Sequence, residues 1–248
     1  MRKVTDMEGL KKVARVFLMM DPQPTNFSPM IVKHPFTDSE ITAIKSDGEY
    51  QMVNLMDGTD ALTRWRKQIQ ETIDSAEKPI HIYVGITKPF RFAFLKHAMP
   101  YLSRTNFSEY LADAWVNCEE PNRDPNFTKK QLLGLFRRAD PQALMTEEEY
   151  RQLQALEDTV TIYRGVTTYN AGSAKSLSWT LKRETAEWFA HRFGEHGTVY
   201  QAQINKAHIY ALFTGRNEAE AIVDPKQLMN MKEAHSQNMG FQMKMKMK

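Results

Sequence analysis

Apolar residues recur at three- and four-residue spacing through most of the chain up to Leu156, and alternate with polar ones after it. The first spacing belongs to one face of a helix, the second to a half-buried strand. Leu10, Val13, Ala14, Phe17 and Leu18 predict a short first helix, which Pro22 and Pro24 stop, because proline lacks a donor and restricts the residue before it. Residues 30–56 read as irregular or weakly extended, around 30–32 and 50–53. Leu62, Trp65, Ile69 and Ile73 form one stripe of a helix over about 60–76, with Arg64, Lys67 and Glu71 outside it. Residues 80–84 alternate as a strand would, with Gly85 to end it. From 88 to 156 the spacing predicts a run of helices. Pro89 suits a first helical turn, Ser108 is placed as a cap, and Thr128 with Gln131 and Thr146 with Glu149 make two capping boxes. The acidic run Glu147, Glu148, Glu149 lies at a helix N-terminus, where the macrodipole accounts for it without a metal.

Beyond Leu156 the extended stretches are 159–164, closed by Gly165, then 175–179, 198–204, 209–213 and 218–223. One helix interrupts them, with Thr180 as its cap and Ala186, Phe189, Ala190 and Phe193 on one face. Trp179 is expected in the core. In the last strand, Glu218 and Glu220 should face the same way, with Ala219, Ala221 and Val223 turned inward. Two carboxylates about 6.5–7 Å apart along one strand face do not help a core; they belong in solvent or in a cleft. The tail from about Met231 ends in alternating Met and Lys and is expected to be mobile. The whole reads as an α+β protein: a mostly helical N-terminal part (1–156), a β-rich core (157–230) and a tail (231–248). With almost no linker between the first two, one compact unit is expected.

Composition narrows the chemistry. The 33 basic and 30 acidic residues leave a net charge of +3, too even to argue for nucleic acid as the partner. The basic residues Lys129, Lys130, Arg137 and Arg138 have no interleaved aromatic set and read as a solvated helix face. A single cysteine, Cys118, excludes an intrachain disulfide and a thiolate metal cluster. The apolar run 13–20 is too short for a bilayer span, and Arg15 inside it suits a signal peptide poorly. A soluble protein is expected, with no membrane partner, cytoplasmic or acting inside a host cell. There is no Gly-rich dinucleotide fingerprint, no phosphate loop and no Gly-x-Ser-x-Gly elbow. His191 and His196 are poorly spaced for a shared metal on one helix face, so no metal is expected.

Three short pieces stand in order in the last third of the chain. A strand ends in Ile162-Tyr163-Arg164-Gly165, Ser176-Leu177-Ser178-Trp179-Thr180 leads into a helix, and Glu218-Ala219-Glu220 lies on a late strand. The set resembles the mono-ADP-ribosyltransferase family of the arginine–serine–glutamate class, which includes bacterial toxins and phage modification enzymes. The likeness covers about 158–228; leucine stands where the family usually has threonine between the serines. The resemblance implies a mixed β core of two packed sheets that binds NAD as substrate. It implies Glu220 as the catalytic carboxylate at the ribose 2′-hydroxyl, and Glu218 as the contact to the acceptor, with arginine the acceptor that goes with a glutamate there. It implies that Arg164 binds the diphosphate, that the backbone at Gly165 holds the nicotinamide amide, that Ser176 fixes the glutamate or ribose, and that Ser178 supports the cleft. The partners implied are NAD and an acceptor protein that the sequence does not name. An NAD glycohydrolase, with water as acceptor, and a non-catalytic binding protein of the same fold are the alternatives.

Overall fold

In the computed structural model, which describes residues 2–46, 48–194, 196–215 and 217–234 and leaves the side chains of 171, 173 and 193 undescribed, the chain divides into two units, Met1–Leu144 and Met145–Lys248. The boundary falls about a dozen residues before the expected one, and the expected single unit is two. Both units together make a mixed α+β protein with several antiparallel sheets.

The first unit opens with α1 (Met7–Leu18), whose cap Asp6 accepts from the Gly9 N–H. Leu10, Ala14, Phe17 and Leu18 are its buried face. Residues 23–54 are more regular than their pattern suggested. They form β1 (Gln23–Pro24), β2 (Ile31–His34) and β3 (Thr37–Ser39) in one small sheet, and the hairpin β4 (Ile41–Ser46) and β5 (Glu49–Asn54). Then come α2 (Thr59–Ser75), α3 (Pro79–Tyr83), α4 (Arg91–Ala98), α5 (Arg104–Asn117), α6 (Lys129–Arg138) and the single turn α7 (Pro141–Leu144). The strand expected at 80–84 is therefore the helix α3. Pro79 stands in its first turn, and the adjacent pair Ile82 and Tyr83 is buried while Ile80 and Val84 are exposed, which alternation would not give. Ser108 does not cap a helix either. Ser103 does, accepting from Asn106 N–H, and Ser108 is buried inside α5. Its Oγ donates to the Arg104 carbonyl and accepts from the Asp140 N–H, both at 2.8 Å. The Thr128–Gln131 capping box forms as expected. Trp65, Phe94, Phe107, Leu111 and Trp115 lie at the centre of this unit, with Trp115 edge-on to Phe136 at 5.0 Å.

The second unit starts with α8 (Glu147–Ala155), whose Thr146–Glu149 box also forms. It continues through β6 (Thr159–Val166), β7 (Ser178–Thr180), α9 (Arg183–His191), β8 (Thr198–Asn205), β9 (Ile209–Phe213), β10 (Glu220–Val223) and β11 (Met229–Glu233). All six strands join one antiparallel sheet in the order β11-β8-β6-β7-β10-β9. The expectation of two packed sheets is thus corrected to one hydrogen-bonded sheet. That sheet has two three-stranded halves, and they meet at one register pair, Tyr163 opposite Thr180. Much of the tail expectation (231–248) falls outside the described residues; 231–233 belong to β11.

Helix α9 packs on β6 because two glycines let it come close. A Cβ on Gly165 would lie 2.0 Å from the Ala186 carbonyl oxygen, and one on Gly197 would lie 2.3 Å from that of Ala190. Ala186 and Ala190 are fully buried against Val199, so small residues face small residues across the contact. Gly165 lies inside β6 and does not end it. Thr180 is the last residue of β7, and Lys182 precedes α9 instead. Phe189, expected in the core, is only half-buried; it meets exposed Trp188 edge-on at 4.9 Å. Among the described residues no helix is long and apolar enough to cross a membrane.

Candidate functional site

The expected site residues all lie on or beside the central strands of the second unit. In β7, Ser178 and Thr180 are two residues apart and share a face. The register sets Thr180 opposite Glu220 and Ser178 opposite Ile222, so Glu220 is on that same face. Ser178 Oγ donates to Glu220 Oε1 at 2.5 Å. Glu220 is buried, at 8% exposure, so a hydroxyl partner matters to it more than it would to a surface carboxylate. Trp179 points the other way into the core, 2% exposed, and its Nε1 donates to the Ser176 carbonyl at 3.0 Å.

Arg164 reaches the same strand from β6. Its Nη1 donates to the Ser178 carbonyl oxygen. The position of that contact follows from the sheet's joint. The antiparallel register that pairs Tyr163 with Thr180 would next set Arg164 opposite Trp179 and then Gly165 opposite Ser178, but the ladder stops. Backbone pairing therefore ends after Tyr163 and Thr180, and the Arg164 side chain takes up contact with β7 beyond it. On one side of the parting β6 brings Arg164 and Gly165; on the other, Ser178 of β7 is hydrogen-bonded to Glu220 of β10. Gly165 also sits opposite Val199 in the β8 ladder, and the close approach that its missing side chain allows is made by α9.

Two expected residues are placed differently. Ser176 lies before β7 and is fully buried, while the Ser178 hydroxyl, expected only to support the cleft, is hydrogen-bonded to Glu220. Glu218 lies before β10, on the turn that delivers it. The strand alternation does not run back through this turn, because Ala219 has φ +45° and Asn217 φ +58°. Thr180 Oγ1 donates to the Glu218 carbonyl at 2.5 Å and accepts from the Lys182 N–H at 3.0 Å. Lys182 Nζ donates to Asn217 Oδ1 at 2.6 Å. Thr180 and Lys182 thus belong to the constellation, although the sequence reading gave Thr180 only a capping role. Its i+2 spacing from Ser178 was the signal available. Among the described residues of this unit, Tyr169 and Trp188 are the exposed aromatic side chains. Among the described residues no group of three or more His, Cys, Asp or Glu is arranged to hold a metal ion.

No protein-family model, curated protein or solved structure matches the chain.

Proposed function

We propose that the protein is a mono-ADP-ribosyltransferase that cleaves NAD and passes its ADP-ribose to an arginine of a protein acceptor, releasing nicotinamide. The observation that carries this reading is the parting of β6 from β7, where Arg164, Ser178 and Glu220 are linked in one chain of hydrogen bonds. In NAD the nicotinamide is already a cationic leaving group. The bond from the ribose carbon to the ring nitrogen breaks, its electron pair leaves with nicotinamide, and no general acid is needed. What the reaction does need is a fixed negative charge beside the oxocarbenium-like sugar. Glu220 supplies it, held by the Ser178 hydroxyl. Arg164 offers a planar fork of donors that suits a diphosphate. The acceptor guanidinium pairs with Glu218, gives up a proton to that carboxylate, and its nitrogen forms the new bond to the ribose carbon that nicotinamide has left.

With water in place of the guanidine, the same residues would make an NAD glycohydrolase. Glu218 decides between the two, and it stands on a turn rather than on a strand. Glu220→Gln keeps the shape and removes the charge. It is expected to lower nicotinamide release by about a hundredfold or more with the melting curve retained. Release at the wild-type rate would remove Glu220 from the chemistry and the reading with it.

A further inference from the structure

The turn between β9 and β10 is fastened by side chains from α8, from β7 and from Lys182 ahead of α9. At its start, Glu149 Oε1 accepts the Thr214 N–H at 2.6 Å and the Thr214 hydroxyl at 3.2 Å. At its end, Thr180 Oγ1 holds the Glu218 carbonyl, and Lys182 holds Asn217. Between them the Asn217 N–H returns to the Thr214 carbonyl at 2.8 Å. Asn217 and Ala219 keep positive φ values without being glycine, and such backbone persists only where the surroundings over-determine it.

Glu149 does more here than a capping box requires. Its Oε2 accepts from the Thr146 N–H at 2.9 Å and from Thr146 Oγ1 at 3.0 Å, which completes the cap of α8. Oε1 is spent wholly on Thr214. A buried carboxylate, 7% exposed, with both oxygens engaged by donors from two different elements acts as a strut between them.

We propose that Glu149 is a positioning residue for Glu218: by fixing Thr214 it sets the turn that presents Glu218 to the acceptor, and so governs how ADP-ribose divides between a guanidine and water. The inference deepens the transferase reading and depends on it. Glu149 touches neither Glu220 nor Ser178 in any hydrogen bond described above, so bond cleavage in NAD should be nearly indifferent to it.

Glu149→Gln separates the strut from the cap. Glutamine serves a capping box as glutamate does, so the amide oxygen can stay on Thr146. The amide NH2 then faces the Thr214 N–H, donor against donor. The full-length wild type, E149Q and E218Q are incubated with labelled NAD and agmatine as a small guanidine acceptor, and nicotinamide and ADP-ribosyl-agmatine are both counted. In E149Q the adduct should fall about tenfold while nicotinamide release stays within about threefold; E218Q, which removes the acceptor contact itself, sets how far the adduct can fall. A loss of global stability alone would lower both products together. If E149Q does not fold, Thr214→Val leaves Glu149 and its cap intact and should shift the ratio the same way by about threefold. A wild type that cleaves NAD and labels agmatine, with an unchanged product ratio in the folded variants, overturns the inference and leaves the transferase reading standing. A wild type that releases no nicotinamide, or labels no agmatine, overturns the transferase reading and the inference together.

Discussion

At the scale of single residues, the serines show what a motif leaves to the tertiary structure. Ser176-Leu177-Ser178 and Ser178-Trp179-Thr180 both offer hydroxyls at alternate positions, and the sequence holds nothing to choose between them. The choice is made by the pairing of β7 with β10, a contact between residues some forty positions apart. It puts Ser178 and Thr180 beside Glu220 and leaves Ser176 fully buried. Ser178→Ala should therefore lower nicotinamide release by about tenfold or more at nearly constant stability, as an orienting hydroxyl is lost. Ser176→Ala should instead act on stability, by about 1 kcal/mol, as a buried polar group is removed. Steady-state kinetics beside denaturant melts of the two variants checks the contrast. The opposite pattern would return Ser176 to the site. Glu220 and Arg164 were legible because their order along the chain survives any small error of register. Glu218 was only half legible, since a left-handed alanine at 219 leaves no trace in a pattern of apolar and polar residues.

At the scale of elements, the two capping boxes held, whereas the single-residue caps at Ser108 and Thr180 did not. The Thr128 and Thr146 boxes need only their own helices, and both form. Residues 80–84 were too few to tell a period of two from one of 3.6, and the buried neighbours Ile82 and Tyr83 decide for helix. Gly165 looked like the end of a strand; its purpose is to admit α9. Gly165→Ala would push a methyl into the Ala186 carbonyl and the Ala190 nitrogen, both backbone atoms that cannot step aside cheaply. Overpacking of this kind costs about 1–3 kcal/mol or more, so the unfolding midpoint in urea should drop clearly. Because β6 carries Arg164 as well, activity should fall with it. A midpoint equal to the wild type's would mean that the helix does not seat on Gly165.

At the scale of the molecule, the mixed α+β character was legible from the change of period near Leu156, and the two units divide slightly upstream of it, at Leu144. The first unit, for which the sequence suggested no chemistry, contains a strongly perturbed imidazole. His34 is fully buried, its Nδ1 accepts the Phe36 N–H at 3.0 Å, and its Nε2 therefore donates to the Met20 carbonyl at 2.9 Å. Burial pushes its pKa down to about 4; Arg66 pushes the same way, while the Met20 carbonyl and Asp21 oppose them. The neutral ring is the folded form. Its contribution to stability is present above the unfolded value of 6.5 and is lost as pH falls through about 4. At about 1.4 kcal/mol per unit, the unfolding free energy should decline by about 3 kcal/mol across that window. His34→Gln should flatten the decline in chemical melts taken at stepped pH, and an equally steep decline in that variant would place the acid sensitivity elsewhere.

The second unit's sheet changes how one of its arginines has to be studied. Where β6 and β7 separate after a single pair, Arg164 works as a rivet across the seam. Losing it would let the two halves of the sheet slip, and a slipped seam silences an enzyme as thoroughly as an empty phosphate grip. An inactive Arg164 variant thus belongs in a calorimeter before its silence is charged to NAD.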